Sequence, residues 1–427
     1  MGSPIKSQSF LFILKAFVLG TLLAPVTLSS GCVGQASSRD DVDAGGDGGG
    51  NGGETAPSVT VEQGATVISG MTVPLFALIS GADTVSWSQL SGPAATLIDS
   101  TEAHAYAETA IDLAAAEELV FEVTATNTAG ITKAEVTYVM GAPVFDDFLG
   151  GIGNVAELGT SEGIDFNDQG LWVVSVNDTN GGPGFVSRFD SAAAFVERLE
   201  VPNAPIGANF NKDGLLVVTR SGLNNVETLN TADGTLTPII TNAGATNYPL
   251  PDKDGNVFVS NRANGQVIRY DADQQTQAVF TDNTTGTNPN AIAFGPENDI
   301  LYVGAVDTVY RVPINADGTA GTPEVYVTVT GEVDGLAFDS GRNLWIGSPG
   351  AQTLYMVPYV AGGPSVVRLT YSPADPAPNR FVSLTFGTGG FGVTSLYWTS
   401  LERRTVGRLD IGLPSVVPPL SVDAATP

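Results

Sequence analysis

From Glu162 onward one pattern of polar and apolar positions recurs. A single position opens a short apolar run, a turn follows, and a second apolar run carries an aromatic residue. The units read "EGIDFNDQGLWVV", "IGANFNKDGLLVV", "NYPLPDKDGNVFV", "NAIAFGPENDILYV", "DGLAFDSGRNLWI" and "VSLTFGTGGFGVTSLYW". Their first positions are Glu162, Ile206, Asn247, Asn290, Asp334 and Val382, with spacings of 44, 41, 43, 44 and 48 residues. Further strand pairs, such as "GQVIRYDADQQTQAVFT", fill the intervals. Four strands in a repeat of about 40–45 residues are the sequence mark of a propeller blade. Six such units predict a six-bladed β-propeller over residues 143–413. No long segment there has a helical period, which excludes a parallel α/β fold.

Residues 57–141 alternate in the strand manner, in "PSVTVEQG", "VPLFALIS", "TVSWSQLSGP", "ELVFEVTATNTAG" and "TKAEVTYVM". Short strands at this spacing predict a small antiparallel β-sandwich. The chain is therefore expected to be all-β. In this reading His104 is a surface strand residue without chemistry.

The first 31 residues have another pattern. Lys6 and Lys15 precede an apolar run from Ala16 to Leu28, broken by Pro25 and too short to span a membrane comfortably. It predicts a signal peptide over 1–31. Cys32 follows directly. Residues 32–56, with "DAGGDGGGNGG", cannot bury apolar surface and read as a flexible tether. "DVDAGG" begins like a calcium-binding helix-loop-helix, but Gly52 stands where the bidentate Glu is required. Residues 414–427 form a tail.

Composition narrows the chemistry. Only 15% of residues are charged, Gly (51) and Pro (26) are frequent, and the net charge is −27. Such an acidic chain repels phosphate backbones, which argues against nucleic acid as a partner. One Cys and one His exclude a disulfide framework and a Cys/His zinc site. The "GGIGNV" stretch at Gly150 lacks the strand–helix setting of a dinucleotide site.

In a propeller the first position of each innermost strand lies at the channel mouth. Glu162, Asn247, Asn290 and Asp334 then converge, with Ile206 and Val382 as apolar wall. Two converging carboxylates require protons, water or a cation. Carboxylate and amide oxygens are hard ligands suited to Ca²⁺, Mg²⁺ or Mn²⁺. The competing reading is that these residues only form turns.

Three resemblances add to this. "LSSGC" resembles the lipobox of bacterial lipoproteins, which implies cleavage before Cys32, its lipidation, and anchoring to the cell envelope, at the outer membrane. "WSQLSGP" with "FEVTATNTAG" resembles the PKD-like immunoglobulin-type domains of bacterial surface proteins, which implies a small immunoglobulin-like β-sandwich with Trp87 in its core. Residues 145–413 resemble the senescence marker protein/regucalcin/gluconolactonase family of six-bladed propellers. The carrying segments are "EGI", "TNYPLPDKDGNVFVSN", "PNAIAFGPENDILYV", "DGLAFDSGRNLWIG" and "SLTFGTGGFGVTSLYWTS".

The family resemblance implies one divalent cation held by Glu162, Asn290 and Asp334. Ca²⁺ comes first, with Mg²⁺, Mn²⁺ or Zn²⁺ as alternatives. It implies that Asn247 contacts metal-bound water or substrate and that Asp334 also serves as catalytic base. The family's Pro after Glu-Gly is Ile164 here, its Gly after Pro-Asn is Ala291, and its Asp after Asn is Tyr248. An Arg that holds sugar-acid substrates is replaced by Ala245 or Thr246. The expected function is metal-dependent hydrolysis of a lactone or ester by an envelope lipoprotein. The alternative is a non-enzymatic propeller of the NHL kind that binds a ligand or surface protein around a structural cation.

Overall fold

The computed structural model describes residues 55–109, 116–150, 157–176, 183–220, 222–282, 288–359, 369–371, 380–401 and 404–416. The expected signal peptide, Cys32 and nearly all of the expected tether fall outside the described residues. Among those described, strands dominate, and the one helical piece is a 3-10 turn at Gly389–Phe391. No helix among them is long and apolar enough to cross a membrane.

Six four-stranded antiparallel sheets follow one another. We number them as blades 1 to 6 by their innermost strands: Thr160–Asn167, Pro205–Phe210, Thr246–Pro251, Pro289–Phe294, Gly335–Phe338 and Arg380–Phe386. The chain is all-β and the propeller has six blades.

The turn after each innermost strand follows from local chemistry. Asn and Asp side chains satisfy backbone donors two residues on and so stabilise tight turns. Asn167 Oδ1 accepts from the Gln169 and Gly170 amides and from Trp172 Nε1 at 2.9 Å. Asp339 in blade 5 repeats this with the Gly341 and Asn343 amides and with Trp345 Nε1 at 2.8 Å. Asn211 and Asp252 do the same for blades 2 and 3. Gly214 and Gly255 in those turns have φ of 73° and 94°, where a side chain would be strained. Trp172 and Trp345, each tied to its turn, are fully buried.

Closure joins distant parts of the chain. The outermost strand of blade 6 is Phe145–Leu149, which precedes blade 1 in sequence. It pairs with Thr405–Asp410, Leu149 opposite Val406 and Phe145 opposite Leu409. Arg408 bonds Asp146 at 2.6 Å across the same seam. A ring closed this way leaves only short, protected strand edges.

Residues 58–141 form two four-stranded sheets whose apolar faces meet. Trp87 is buried there and donates from Nε1 to the Glu102 carbonyl, whereas His104 is exposed. The same hydrophobic cluster runs on into the propeller, to Trp345, Met356, Phe381 and Trp398. Polar contacts reinforce this join. Asn343 exchanges two 2.8 Å hydrogen bonds with the Thr72 backbone. Arg342 donates to the Tyr106 hydroxyl at 2.8 Å and lies over the rings of Tyr106 and Tyr359. The sandwich is thus packed against blades 5 and 6, beyond what a loosely strung spacer would show.

Candidate functional site

The first position of each repeat sits on a backbone irregularity. In blade 1 the pairing register jumps between Ser161 and Ile164, so Glu162 and Gly163 face one residue of the next strand. Blades 2, 3 and 4 jump at the same point, around Ile206, Asn247 and Asn290. Blade 6 jumps between Arg380 and Leu384, around Val382. In blade 5 Asp334 directly precedes the strand, and its amide donates to the Gly347 carbonyl at 2.9 Å. A bulge turns side chains out of the alternating pattern. Here it frees the opening residue of each innermost strand from the sheet faces.

Hydroxyls on the second strands hold the bulges. Thr219 Oγ1 accepts from the Gly207 amide at 2.9 Å and donates to the Asn247 carbonyl at 2.5 Å. Thr399 Oγ1 accepts from the Ser383 amide at 3.4 Å and donates to the Glu162 carbonyl at 2.6 Å. Each therefore ties its own bulge to the opening residue of the following blade. Gly163 and Gly207 are needed for a further reason. A Cβ on Gly163 would come within 2.7 Å of the Ile206 carbonyl, and one on Gly207 within 2.3 Å of the Asn247 carbonyl.

The structure brings the four polar residues together. Asn247 Nδ2 donates to Glu162 Oε1 at 3.4 Å. Asn290 Nδ2 donates to Asp334 Oδ1 at 2.5 Å. Asn247, Asn290 and Asp334 are buried, Glu162 partly so. Val382 is buried and Ile206 half-buried, as the remaining wall.

Two further charged residues join them. Glu332 Oε1 accepts from Asn290 Nδ2 at 3.3 Å and pairs with Arg262 at 2.7 Å. Glu332 lies two residues before Asp334, outside the repeated register, and the acidic pair in "GEVDG" is its only signal. Arg262 follows the second strand of blade 3, where no local pattern marks it. The site thus contains a base, which the sequence reading did not include.

The electrostatics are those of crowded carboxylates. Burial pushes the Asp334 carboxyl well above the usual range, and the neighbouring Glu162 and Glu332 carboxylates push it further. Burial likewise raises Glu162 to about 7, against the opposing pull of Arg262 and of the Asn247 amide. Fully ionised, three carboxylates and one guanidinium would leave an excess of two negative charges. One divalent cation would balance it.

The residues fit such an ion. Asn290 is 1% exposed, and its Oδ1 has no hydrogen-bond partner. Its Nδ2 faces two carboxylates, so its oxygen must point away from them. A buried acceptor left unpaired costs about 1–3 kcal/mol, and a cation would satisfy it. Among the described residues no three His, Cys, Asp or Glu side chains form a metal cluster. The donor set here is two carboxylates with amide oxygens, the hard-oxygen type.

Tyr248, where the resembling family has Asp, turns away from this chemistry. It is 6% exposed and packs with Phe258, Val267 and Ile292 between blades 3 and 4.

Comparisons agree with the architecture. Residues 167–402 match the model of the SMP-30/gluconolactonase/LRE-like region. Asn247, Asn290 and Asp334 lie inside the match, and Glu162 lies just before it. A gluconolactonase from Xanthomonas campestris superposes with a TM-score of 0.50 at 19% identity, covering 64% of this chain and 91% of that one. A luciferin-regenerating enzyme superposes with a TM-score of 0.52 at 18% identity, covering 64% of this chain and 97% of that one. At such identities these structures share the fold. No curated protein matches.

Proposed function

The chain belongs to the SMP-30/gluconolactonase/LRE-like family, and from that premise we propose that it is a metal-dependent hydrolase of a lactone or ester. The observation that carries the reading is the unpartnered, buried Oδ1 of Asn290, at a channel mouth where the Glu162 and Asp334 carboxyls are both raised. Glu162, Asn290 and Asp334 would hold one divalent cation, Ca²⁺ before Mg²⁺, Mn²⁺ or Zn²⁺. Such an ion supplies Lewis acidity toward an acyl carbonyl and makes water easier to deprotonate.

The chain's own groups do the rest. Asp334 takes the proton from the attacking water as oxygen adds to the acyl carbon. The acyl C–O bond then breaks, and Asp334 returns the proton to the departing alkoxide. Asn290 Nδ2, bonded to Asp334 Oδ1, fixes the orientation of that carboxylate. Asn247 holds Glu162 and offers its amide to water or substrate. Arg262 restrains Glu332 and keeps the charge excess at two.

A panel of sugar lactones, apolar lactones and aryl esters tests this. Turnover of at least one member is expected, and Asp334→Asn should lose it more completely than Asn247→Ala. Metal binding without turnover by any member of the panel contradicts the hydrolase reading. It favours a non-enzymatic propeller with a structural cation, which the withdrawal of Tyr248 from the site also supports.

The proposed setting is the bacterial cell envelope, with residues 1–31 removed and Cys32 lipidated as a membrane anchor. Cys32→Ala should release the protein from membranes. A mature chain with a free Cys32 thiol contradicts the anchor.

A further inference from the structure

A cavity of about 490 Å³ bounded by the described residues lies away from the carboxylate ring. Its wall contains Phe210, Phe294, Phe338 and Phe386, each the last residue of its innermost strand. The ring residues stand at the other ends of the same strands. The volume is that of an ordinary small-molecule site.

One buried charge lines this cavity. Asp165 is 9% exposed. Its Oδ1 accepts from the Phe166 amide at 2.8 Å and from Thr385 Oγ1 at 3.4 Å, and its Oδ2 accepts from the Phe210 amide at 2.7 Å. A carboxylate offers about four acceptor positions, so these donors leave one open. All three donors are neutral. The basic side chains on the cavity wall are engaged elsewhere, Lys253 with Asp254 at 2.9 Å and Arg269 with Asp271 at 3.1 Å. Asp252, Asp254 and Asp317 add further negative charge to the outer wall.

The fold does not need this charge. Asp165 ties blade 1 to blade 2 through the Phe210 amide and to blade 6 through Thr385 Oγ1. One blade on, the equivalent residue is Asn209, whose neutral amide ties blade 2 to the Pro249 carbonyl at 2.7 Å. The corresponding positions of the other blades are Leu250, Ala293, Ala337 and Thr385, all uncharged. A buried carboxylate without a cation is costly, and here it lines a cavity whose wall mixes Phe side chains with the neutral polar groups of Asn209, Tyr248 and Thr385.

We propose that this cavity binds a small organic cation, an ammonium group on an apolar body, with Asp165 as its counter-ion. The ammonium takes the open acceptor position, and the apolar body fills the space among the Phe side chains. The site is separate from the proposed hydrolytic centre and does not depend on it.

The test is calorimetric titration of the full chain at pH 8, with 4-phenylbutylamine and, as the uncharged counterpart, 4-phenylbutan-1-ol. The amine is expected to bind about tenfold to a hundredfold tighter than the alcohol, the worth of one buried charge-assisted hydrogen bond. Asp165→Asn should erase that preference. Should this variant not fold, Ala293→Phe keeps the test: it fills the cavity from the side and should abolish binding of both probes. Asp334→Asn, at the other end of the channel, should leave the amine affinity unchanged. Binding of neither probe, equal affinity for both, binding that survives Ala293→Phe, or loss in Asp334→Asn overturns the proposal.

Discussion

Asn290 donates from Nδ2 to Asp334 Oδ1 at 2.5 Å, and this bond leaves the Asn290 oxygen buried without a partner. The two residues are 44 positions apart in sequence and open adjacent blades. One amide therefore does two things. Its nitrogen orients a carboxylate, and its oxygen is exposed to whatever occupies the channel mouth.

The first prediction concerns that oxygen. Asn290→Leu keeps the approximate size of the side chain and removes the unsatisfied acceptor together with the donor. Without added metal, the lost bond to Asp334 and the relieved acceptor are each worth about 1–3 kcal/mol and oppose one another, so the melting temperature should move by only a few degrees. Addition of Ca²⁺ should stabilise the parent chain and leave Asn290→Leu unmoved. A variant that still gains stability from Ca²⁺ would place the ion elsewhere.

pH dependence supplies a second prediction. Burial raises the folded-state carboxyl of Glu162 to about 7 from an ordinary value of 4.5. A raised carboxyl stabilises the fold fully below the unfolded value, and that contribution is lost as pH climbs through the folded value. In chelator, stability should therefore fall between about pH 4.5 and 7. Asp165 and Asp339, raised by burial to about 6 and about 7, act with the same sign. The informative quantity is consequently the difference between the parent chain and Glu162→Gln, measured as melting temperature against pH. The slope should be shallower in the variant. With Ca²⁺ present the trend should reverse, because the ion competes with protons and binds more tightly as pH rises. Identical pH profiles for parent and variant would count against a crowded carboxylate ring.

The third prediction concerns the join between sandwich and propeller. Asn343 is fully buried and carries both bonds to the Thr72 backbone. Asn343→Ala leaves a buried amide and carbonyl of Thr72 unpaired, at a cost of about 1–3 kcal/mol each. Calorimetry should show a lowered melting temperature and one cooperative transition for both regions in the parent chain. Two separate transitions, with only the sandwich affected by Asn343→Ala, would mean that the shared cluster does not couple them.

The blade count and the positions of Glu162, Asn247, Asn290 and Asp334 could be read from the period alone, because equivalent positions of a ring must converge. The bulges could not. A register jump depends on how two strands pair, and the alternation along one strand is silent about it. Glu332 and Arg262 escaped for a related reason. They reach the site from a turn and from the end of a second strand, so they share no register with the ring. The common core of Phe121, Met140, Trp345 and Phe381 was also illegible. Alternation shows which face of a strand is buried, and cannot show against which partner.

The claim that one divalent cation sits among Glu162, Asn290 and Asp334 has a direct test. The full chain, stripped with chelator and dialysed, is titrated with Ca²⁺ in a calorimeter, and the folded state of each variant is checked by circular dichroism. One ion per chain is expected for the parent, with none bound by Asp334→Asn or Glu162→Gln while both remain folded. Absence of heat and of any thermal shift with Ca²⁺, Mg²⁺, Mn²⁺ or Zn²⁺ would contradict the account and leave these residues as the turn formers of a propeller mouth.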